Sequence, residues 1–250
     1  MKRFLIISCM IAVLASCAPT NKDNIIAEEP ADILYLKATD ALERGDFAEA
    51  VKYFSEVERQ HPYSQWAVRA VLMEAYAHYE DMNYDAAIEA LDNFIEMHPG
   101  NKDIGYAFYL RALCNYERIL DVKRDQSYAK EAMRNLIEVT DRFKGTDYAK
   151  DAALKLSLIN DHLAGGEMEI GRYYLRQRQY LAAQGRFRTV VDQYQTTSHV
   201  PEALLRLVEI NLALGFPEEA RKNAALLGYN FSNSEWYKYA YEKLGVRNEE

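Results

Sequence analysis

The chain has 250 residues, 49% of them hydrophobic, with only 11 Gly and 6 Pro, which suits a mostly helical protein with a sizeable core. Its formal net charge of −8 argues against nonspecific binding to nucleic acid, which needs a basic face. Of its cysteines, Cys9 and Cys17 lie near the start and only Cys114 in the body, so no internal disulfide framework is expected.

Met1 to Cys17 reads as a targeting segment. Lys2 and Arg3 form its charged start, and Phe4–Leu14 is an apolar run too short to span a bilayer stably. The run ends in Leu14-Ala15-Ser16-Cys17, which looks like a bacterial lipobox. Similarity to that class of signal implies cleavage before Cys17 and a covalent lipid on its thiol. Several acyl chains, at roughly 0.8 kcal/mol per buried methylene, anchor firmly. Ala18 follows rather than Asp, and by resemblance to sorted lipoproteins that favours the outer membrane, facing the periplasm. Ala18–Pro30 is polar and reads as a flexible tether reaching on the order of 40 Å.

From Ala31 the sequence repeats itself. Ala38, Gly45-Asp46-Phe47, Ala50, Phe54 and His61-Pro62 return 37 places on as Ala75, Asn83-Tyr84, Ala87, Leu91 and His98-Pro99. A partial third copy follows at Phe108, Ala112 and Tyr116. A small–turn–aromatic–Ala–large–Pro string at this period marks stacked helix pairs of the tetratricopeptide type. The small residues let paired helices approach closely, and the proline ends the second helix. The third copy is broken by a charged insert, Asp121–Gln126, expected as a protruding loop with a partner contact as the alternative. Ala132, Leu136 and Val139 then resume the pattern.

Asp147–Gln177 reads as one long helical stretch, with Gly165-Gly166 predicting a kink or a break. A fourth repeat uses Gly171, Tyr180, Ala183, Phe187 and Val190, and a fifth uses Gly215-Phe216-Pro217, Ala220 and Leu227. Phe231–Leu244 predicts a last helix whose Trp236, Tyr237 and Tyr241 cap the stack. Asn248–Glu250 reads as a frayed end. The expected fold is therefore all-α: a tetratricopeptide-type superhelix of about five helix pairs with a C-terminal capping helix. The chain divides into a signal segment over 1–16, a lipidated start and tether over 17–30, N-terminal repeats over 31–145, and C-terminal repeats with the cap over 146–250.

No catalytic constellation emerges. Glu74 and His78 stand one helical turn apart, but without a second His or Cys they read as a surface contact rather than a metal site. His61 and His98 precede prolines and are turn residues by position, and Cys114 reads as a buried, inert thiol. No nucleophile elbow or phosphate-cradling glycine loop is present. No enzyme activity, metal or cofactor is expected beyond the lipid on Cys17. The chain has surface instead. Tyr35, Leu36 and Leu42 in the first repeat, Leu72, Met73, Tyr76 and Tyr79 in the second, and Tyr106, Tyr109 and Tyr116 in the third take inward positions. Either they form a tyrosine-rich trough for an extended peptide, or several pack between helices. In the second half Arg172, Arg176, Arg178, Arg186, Arg188 and Arg206 cluster, as interface anchors or as a solvated face.

The lipobox, tether, five repeats and long linking helix together resemble the BamD family of outer-membrane assembly lipoproteins. Arg59-Gln60-His61-Pro62-Tyr63-Ser64, Ala107–Tyr116 and Gly171-Arg172-Tyr173-Tyr174 carry the likeness. Gly165-Gly166 and the turn Gln195-Thr196-Thr197, where Tyr-Pro is usual, depart from it. The resemblance implies a scaffold whose C-terminal repeats hold the periplasmic domain of the barrel subunit BamA, alongside other lipoproteins of the machinery. Its N-terminal repeats, with Tyr35, Tyr76, Tyr79, Tyr109 and Tyr116, would receive the aromatic-ended C-terminal signals of unfolded outer-membrane proteins. Arg186 matches the family's second-helix arginine thought to pair with an acidic group on BamA, and Arg172 and Arg188 stand near it in sequence. The alternatives are a periplasmic repeat lipoprotein serving pilus assembly or cell division, and a wall-cleaving enzyme, for which no residues remain to build a catalytic domain.

Overall fold

A computed structural model describes residues 26–245. The signal segment, Cys17 and Asn248–Glu250 lie outside the described residues. The elements in chain order are α1 (Ala31–Glu43), α2 (Phe47–Gln60), α3 (Gln65–Glu80), α4 (Tyr84–Met97), α5 (Ile104–Tyr116), α6 (Ser127–Arg142), α7 (Asp147–Arg176), α8 (Tyr180–Gln193), α9 (Val200–Ala213), α10 (Pro217–Phe231) and α11 (Glu235–Lys243). No strand occurs among the described residues, and none of their helices is long and apolar enough to cross a membrane.

The second helix of every pair buries the same register of side chains, spaced i, i+4, i+7. These are Ala50/Phe54/Val57 on α2, Ala87/Leu91/Phe94 on α4, Ala132/Leu136/Val139 on α6, Ala183/Phe187/Val190 on α8 and Ala220/Ala224/Leu227 on α10. That spacing makes one apolar stripe on a helix. Each helix packs chiefly on its neighbours in the chain, so the core runs as four adjoining clusters rather than one centre. Starts are set by side-chain caps: Asp46, Ser64, Thr146 and Ser234 each accept the backbone N–H three residues on. His61 and His98 are C-caps of α2 and α4, as their place before proline suggested.

A left-handed turn recurs between paired helices, at Gly45 (φ 76°), Met82 (φ 56°), Arg178 (φ 57°) and Gly215 (φ 80°). At the close-approach register, Ala38, Ala75 and Ala112 are fully buried, and Gly171 takes that place in the fourth pair. A Cβ on Gly171 would stand 2.7 Å from the Phe187 ring, so only glycine fits between α7 and α8. Tyr237 of α11 likewise sits where a Cβ on Gly228 would fall, 2.6 Å from a ring carbon, and Trp236, Tyr237 and Tyr241 pack on the last cluster as the expected cap.

Three local features refine or differ from the sequence expectation. Of the kink or break expected at Gly165-Gly166, the break does not occur: α7 is one helix of 30 residues. Both glycines are buried because other chain segments approach them: the Val122 carbonyl oxygen lies 3.3 Å from a Cβ position on Gly166, and His199 Nε2 lies 3.3 Å from one on Gly165. The insert is consequently no free loop. The Gln126 amide donates to the carbonyls of Asp121 (3.2 Å) and Arg124 (2.9 Å), closing the insert on itself against the long helix. The tether is not free as far as Pro30. Glu29 N–H donates to Gln60 (3.1 Å), the Gln60 amide donates to the Ala27 carbonyl (3.3 Å), and His61 Nε2 meets the Glu29 carbonyl at 2.6 Å. Ile26 packs on the first core cluster.

Candidate functional site

In the first half, α1, α3, α5 and the start of α7 enclose a groove of about 320 Å³ lined by Tyr35, Leu72, Met73, Tyr76, Tyr106 and Tyr148, with Arg69 and Asp103 as its charged members. Its rings are fixed by other rings. Tyr35 packs on Trp66 (centroids 4.8 Å) and Phe54 (5.4 Å), and Tyr148 packs on both Tyr106 (5.7 Å) and Tyr109 (5.5 Å). Tyr76 stacks on Tyr79 at 6.4 Å, and Tyr79 meets Tyr84 at 5.9 Å. The hydroxyls are perturbed by their surroundings. A hydrogen bond to Glu80, then burial, raises the pKa of Tyr76; burial pushes Tyr79 up to about 12 and Tyr106 higher still. Burial and the hydrogen bond donated to Asp151 raise Tyr109. These phenols are neutral at any physiological pH, so the groove offers apolar area with hydroxyl donors and no phenolate charge.

The structure thus sorts the tyrosines chosen from sequence. Tyr35 and Tyr76 line the groove, while Tyr79 and Tyr109 stand behind its wall as packed supports. Tyr116 is elsewhere, in a hollow with Leu158 and His162 and with Lys155 Nζ 5.3 Å from its ring centroid. Leu36 is 60% exposed and lines no part of the groove. Sequence reading missed Trp66, Arg69 and Tyr148. Trp66 and Arg69 continue the Met73–Tyr76 stripe back along α3 at helical spacing, and that signal was available. Tyr148 lies on the long helix, which the repeat template assigns to the other half.

The second half has a charged inner wall. Arg172 donates from Nε to Glu202 (3.0 Å) and from Nη1 to Glu169 (2.8 Å). Arg206 reaches Glu202 (3.3 Å) and Glu209 (2.9 Å), and Glu209 lies 3.8 Å from Lys243 of the cap. Burial works to raise the pKa of Glu202, but its hydrogen bonds and charge contacts with Arg172 and Arg206 outweigh that and the net shift is downward. Arg172 is therefore engaged within the chain. Arg186 on α8 contacts Glu167 at 3.1 Å and keeps 42% of its side chain exposed, and Arg188 is exposed on the same helix.

Glu74 and His78 are less superficial than their spacing implied. Burial, with help from the nearby charge of Glu58, pushes Glu74 up to about 7, and burial lowers His78. Cys114 is buried and its thiol is pushed up to about 12, which leaves it unreactive. No group of three or more His, Cys, Asp or Glu among the described residues is arranged to hold a metal ion.

Stacked antiparallel helix pairs with one aromatic and one ion-paired inner wall define a tetratricopeptide-type scaffold. The family of outer membrane lipoproteins designated YfiO matches residues 27–226, and this chain belongs to it. Among its relatives, the outer membrane protein assembly factor BamD of Caulobacter vibrioides is 51% identical over 235 residues, covering 93% of this chain and 77% of that protein. BamD of Rickettsia prowazekii is 43% identical over 229 residues, covering 92% and 91%. Among solved structures, the TPR2AB-domain complex of yeast Sti1 aligns over 86% of this chain and 82% of that one, at 14% identity and a TM-score of 0.45, a likeness too loose to add to the helix pattern.

Proposed function

We propose that the chain is a non-enzymatic scaffold of the machinery that assembles outer-membrane β-barrel proteins, lipid-anchored through Cys17 and facing the periplasm. Membership of the family and the names of its relatives as assembly factors support this reading. The observation that carries the binding role is the groove of Tyr35, Tyr76, Tyr106 and Tyr148, a concave aromatic surface with hydroxyls on its walls. It suits the aromatic-ended C-terminal segment of an unfolded barrel protein, with rings supplying contact area and hydroxyls supplying hydrogen bonds. In this reading the C-terminal repeats hold BamA and Arg186 meets an acidic group there; the 42% exposure that its side chain keeps beside Glu167 supports the role. Arg188, exposed on the same helix, supports it. Arg172 contributes by stiffening the wall through Glu202 and Glu169.

Isothermal titration of aromatic-ended peptides into the wild type and into Tyr35→Ala/Tyr76→Ala tests the groove. Affinity drops about tenfold with the helical circular dichroism unchanged, and an unaltered affinity removes the groove from the account. Arg186→Glu reduces co-purification of BamA from detergent-solubilised membranes, and normal recovery refutes that contact. Cys17→Ser moves the protein from the membrane to the soluble fraction on centrifugation.

A further inference from the structure

We infer that the cleft between the third-repeat insert and the long helix is a docking groove for an extended, acidic protein segment bearing an aromatic or branched apolar side chain. The inference rests on the proposed partner role of Arg186, which forms one wall, and assigns the chemistry of what docks there.

The cleft holds about 710 Å³, enough for several residues of peptide. Gly166 and Arg176 both line it and stand ten positions apart on α7, so it extends for about 15 Å along the helix. That length matches about four or five residues of extended chain. Leu163 and Ile170 give it an apolar floor, and Tyr173, Tyr174 and Tyr194 give it aromatic sides.

Its charge is lopsided. Lys123, Arg124, Lys130, Arg176 and Arg186 face three carboxylates, those of Asp125, Glu167 and Glu169. Each carboxylate is already engaged. Asp125 accepts the Ser127 N–H at 2.9 Å, Glu167 meets Arg186 at 3.1 Å, and Glu169 meets Arg172 at 2.8 Å and Lys123 at 3.8 Å. Among the described residues, Arg124, Lys130 and Arg176 have no carboxylate within 4.0 Å, although Lys130 is near enough to Asp125 to help hold its pKa down. A concentration of unpaired cations draws in carboxylates at short range, where its attraction outweighs the salt-screened repulsion from the more distant acidic surface of a chain of net charge −8. These cations come from the insert, α6 and α7, and are therefore distributed along the groove rather than gathered on one point. A string of carboxylates fits that layout better than a single phosphate does. The apolar floor and aromatic sides select a side chain between the acids.

Fluorescence anisotropy on the full chain tests this with labelled synthetic eight-residue peptides. One contains Asp and Glu around a single Phe; its control replaces every acid with Asn or Gln. The acidic peptide binds at least tenfold more tightly than its control, and the difference shrinks as salt rises. Lys130→Glu/Arg176→Glu abolishes the preference, while Arg134→Glu, on an exposed part of α6 outside the cleft, preserves it. If the double reversal disturbs the circular dichroism, Lys130→Gln/Arg176→Gln replaces it and reduces the preference at least threefold. Equal binding of the two peptides, an unchanged preference in the double variants, or binding to phosphatidylglycerol vesicles without acidic-peptide binding each overturns the inference. Loss of BamA co-purification is a separate readout: peptide discrimination can fail while Arg186→Glu still releases BamA, and the reverse.

Discussion

The two halves of the stack are built on one core register and finished with opposite inner walls. In the first half the wall is made of rings, with Tyr35, Tyr76 and Tyr106 from the first three pairs and Tyr148 from the start of α7 around an open groove. In the last two pairs it is made of ion pairs, with Arg172, Glu202, Arg206 and Glu209 joining α7 to α9 and reaching Lys243 on the cap. The stripe on α2, α4, α6, α8 and α10 is the same throughout. The second helix of each pair thus carries the stack, which leaves the first helix's inner face to differ: that face is an open ring-lined groove in one half and is tied up in ion pairs in the other.

The sharpest way to break the comparison is Gly171→Ala. The equivalent register in the first half already holds alanine at Ala38, Ala75 and Ala112. On α7 the added Cβ meets the Phe187 ring at 2.7 Å, so a loss of about 3 kcal/mol in a urea titration is expected. Next comes Glu202→Gln, which leaves Arg172 and Arg206 facing a neutral amide. With both guanidiniums partly solvated, about 2 kcal/mol is lost. Because the folded pKa of Glu202 is depressed, its contribution is present above the unfolded value near 4.5 and disappears as pH falls through the lower folded value. The variant therefore shows a flatter acid limb in stability against pH.

The first half answers with the opposite sign. Glu74 is raised to about 7, so the folded state holds its proton more tightly than the unfolded chain. Its favourable contribution is complete below about pH 4.5 and declines as pH rises through 7. Glu74→Gln removes that slope and raises stability at pH 8 by about 1 kcal/mol, after allowance for partial solvation. The smallest effect is Met82→Gly. Met82 holds a left-handed turn that Gly45 and Gly215 hold elsewhere, and relieving it gains about 0.5 kcal/mol on thermal melting.

The helix pairs were legible because their core positions recur every 37 residues, and Ala38/Phe54 and Ala75/Leu91 state the packing in sequence. The long helix was legible from its spacing, but its continuity was not. A glycine pair scores as a breaker in isolation, and only the approach of Val122 and His199 explains why two residues without side chains belong there. The two departures from the family pattern, Gly165-Gly166 and the turn after Tyr194, meet at this joint: Ser198 N–H donates to Asp161 at 3.1 Å and His199 covers Gly165. The groove was half legible. Residue type and inward register found Tyr35 and Tyr76, but a stripe of tyrosines does not tell which rings line a surface and which stand behind it. Of the partners of Arg172, Glu169 stands three positions away on the same helix, but Glu202 was invisible, since it lies 30 positions away.

One consequence of the unbroken α7 concerns how the molecule comes apart. Leu163 belongs to the cluster of the third pair and Ala164 to the cluster of the fourth, so adjacent residues of a single rod wall two compartments. Neither compartment can melt without stripping the other of a side. Repeat arrays ordinarily fray from their ends, unit by unit; here the shaft ties the middle together, and a calorimeter should record one endotherm with matching van't Hoff and calorimetric enthalpies.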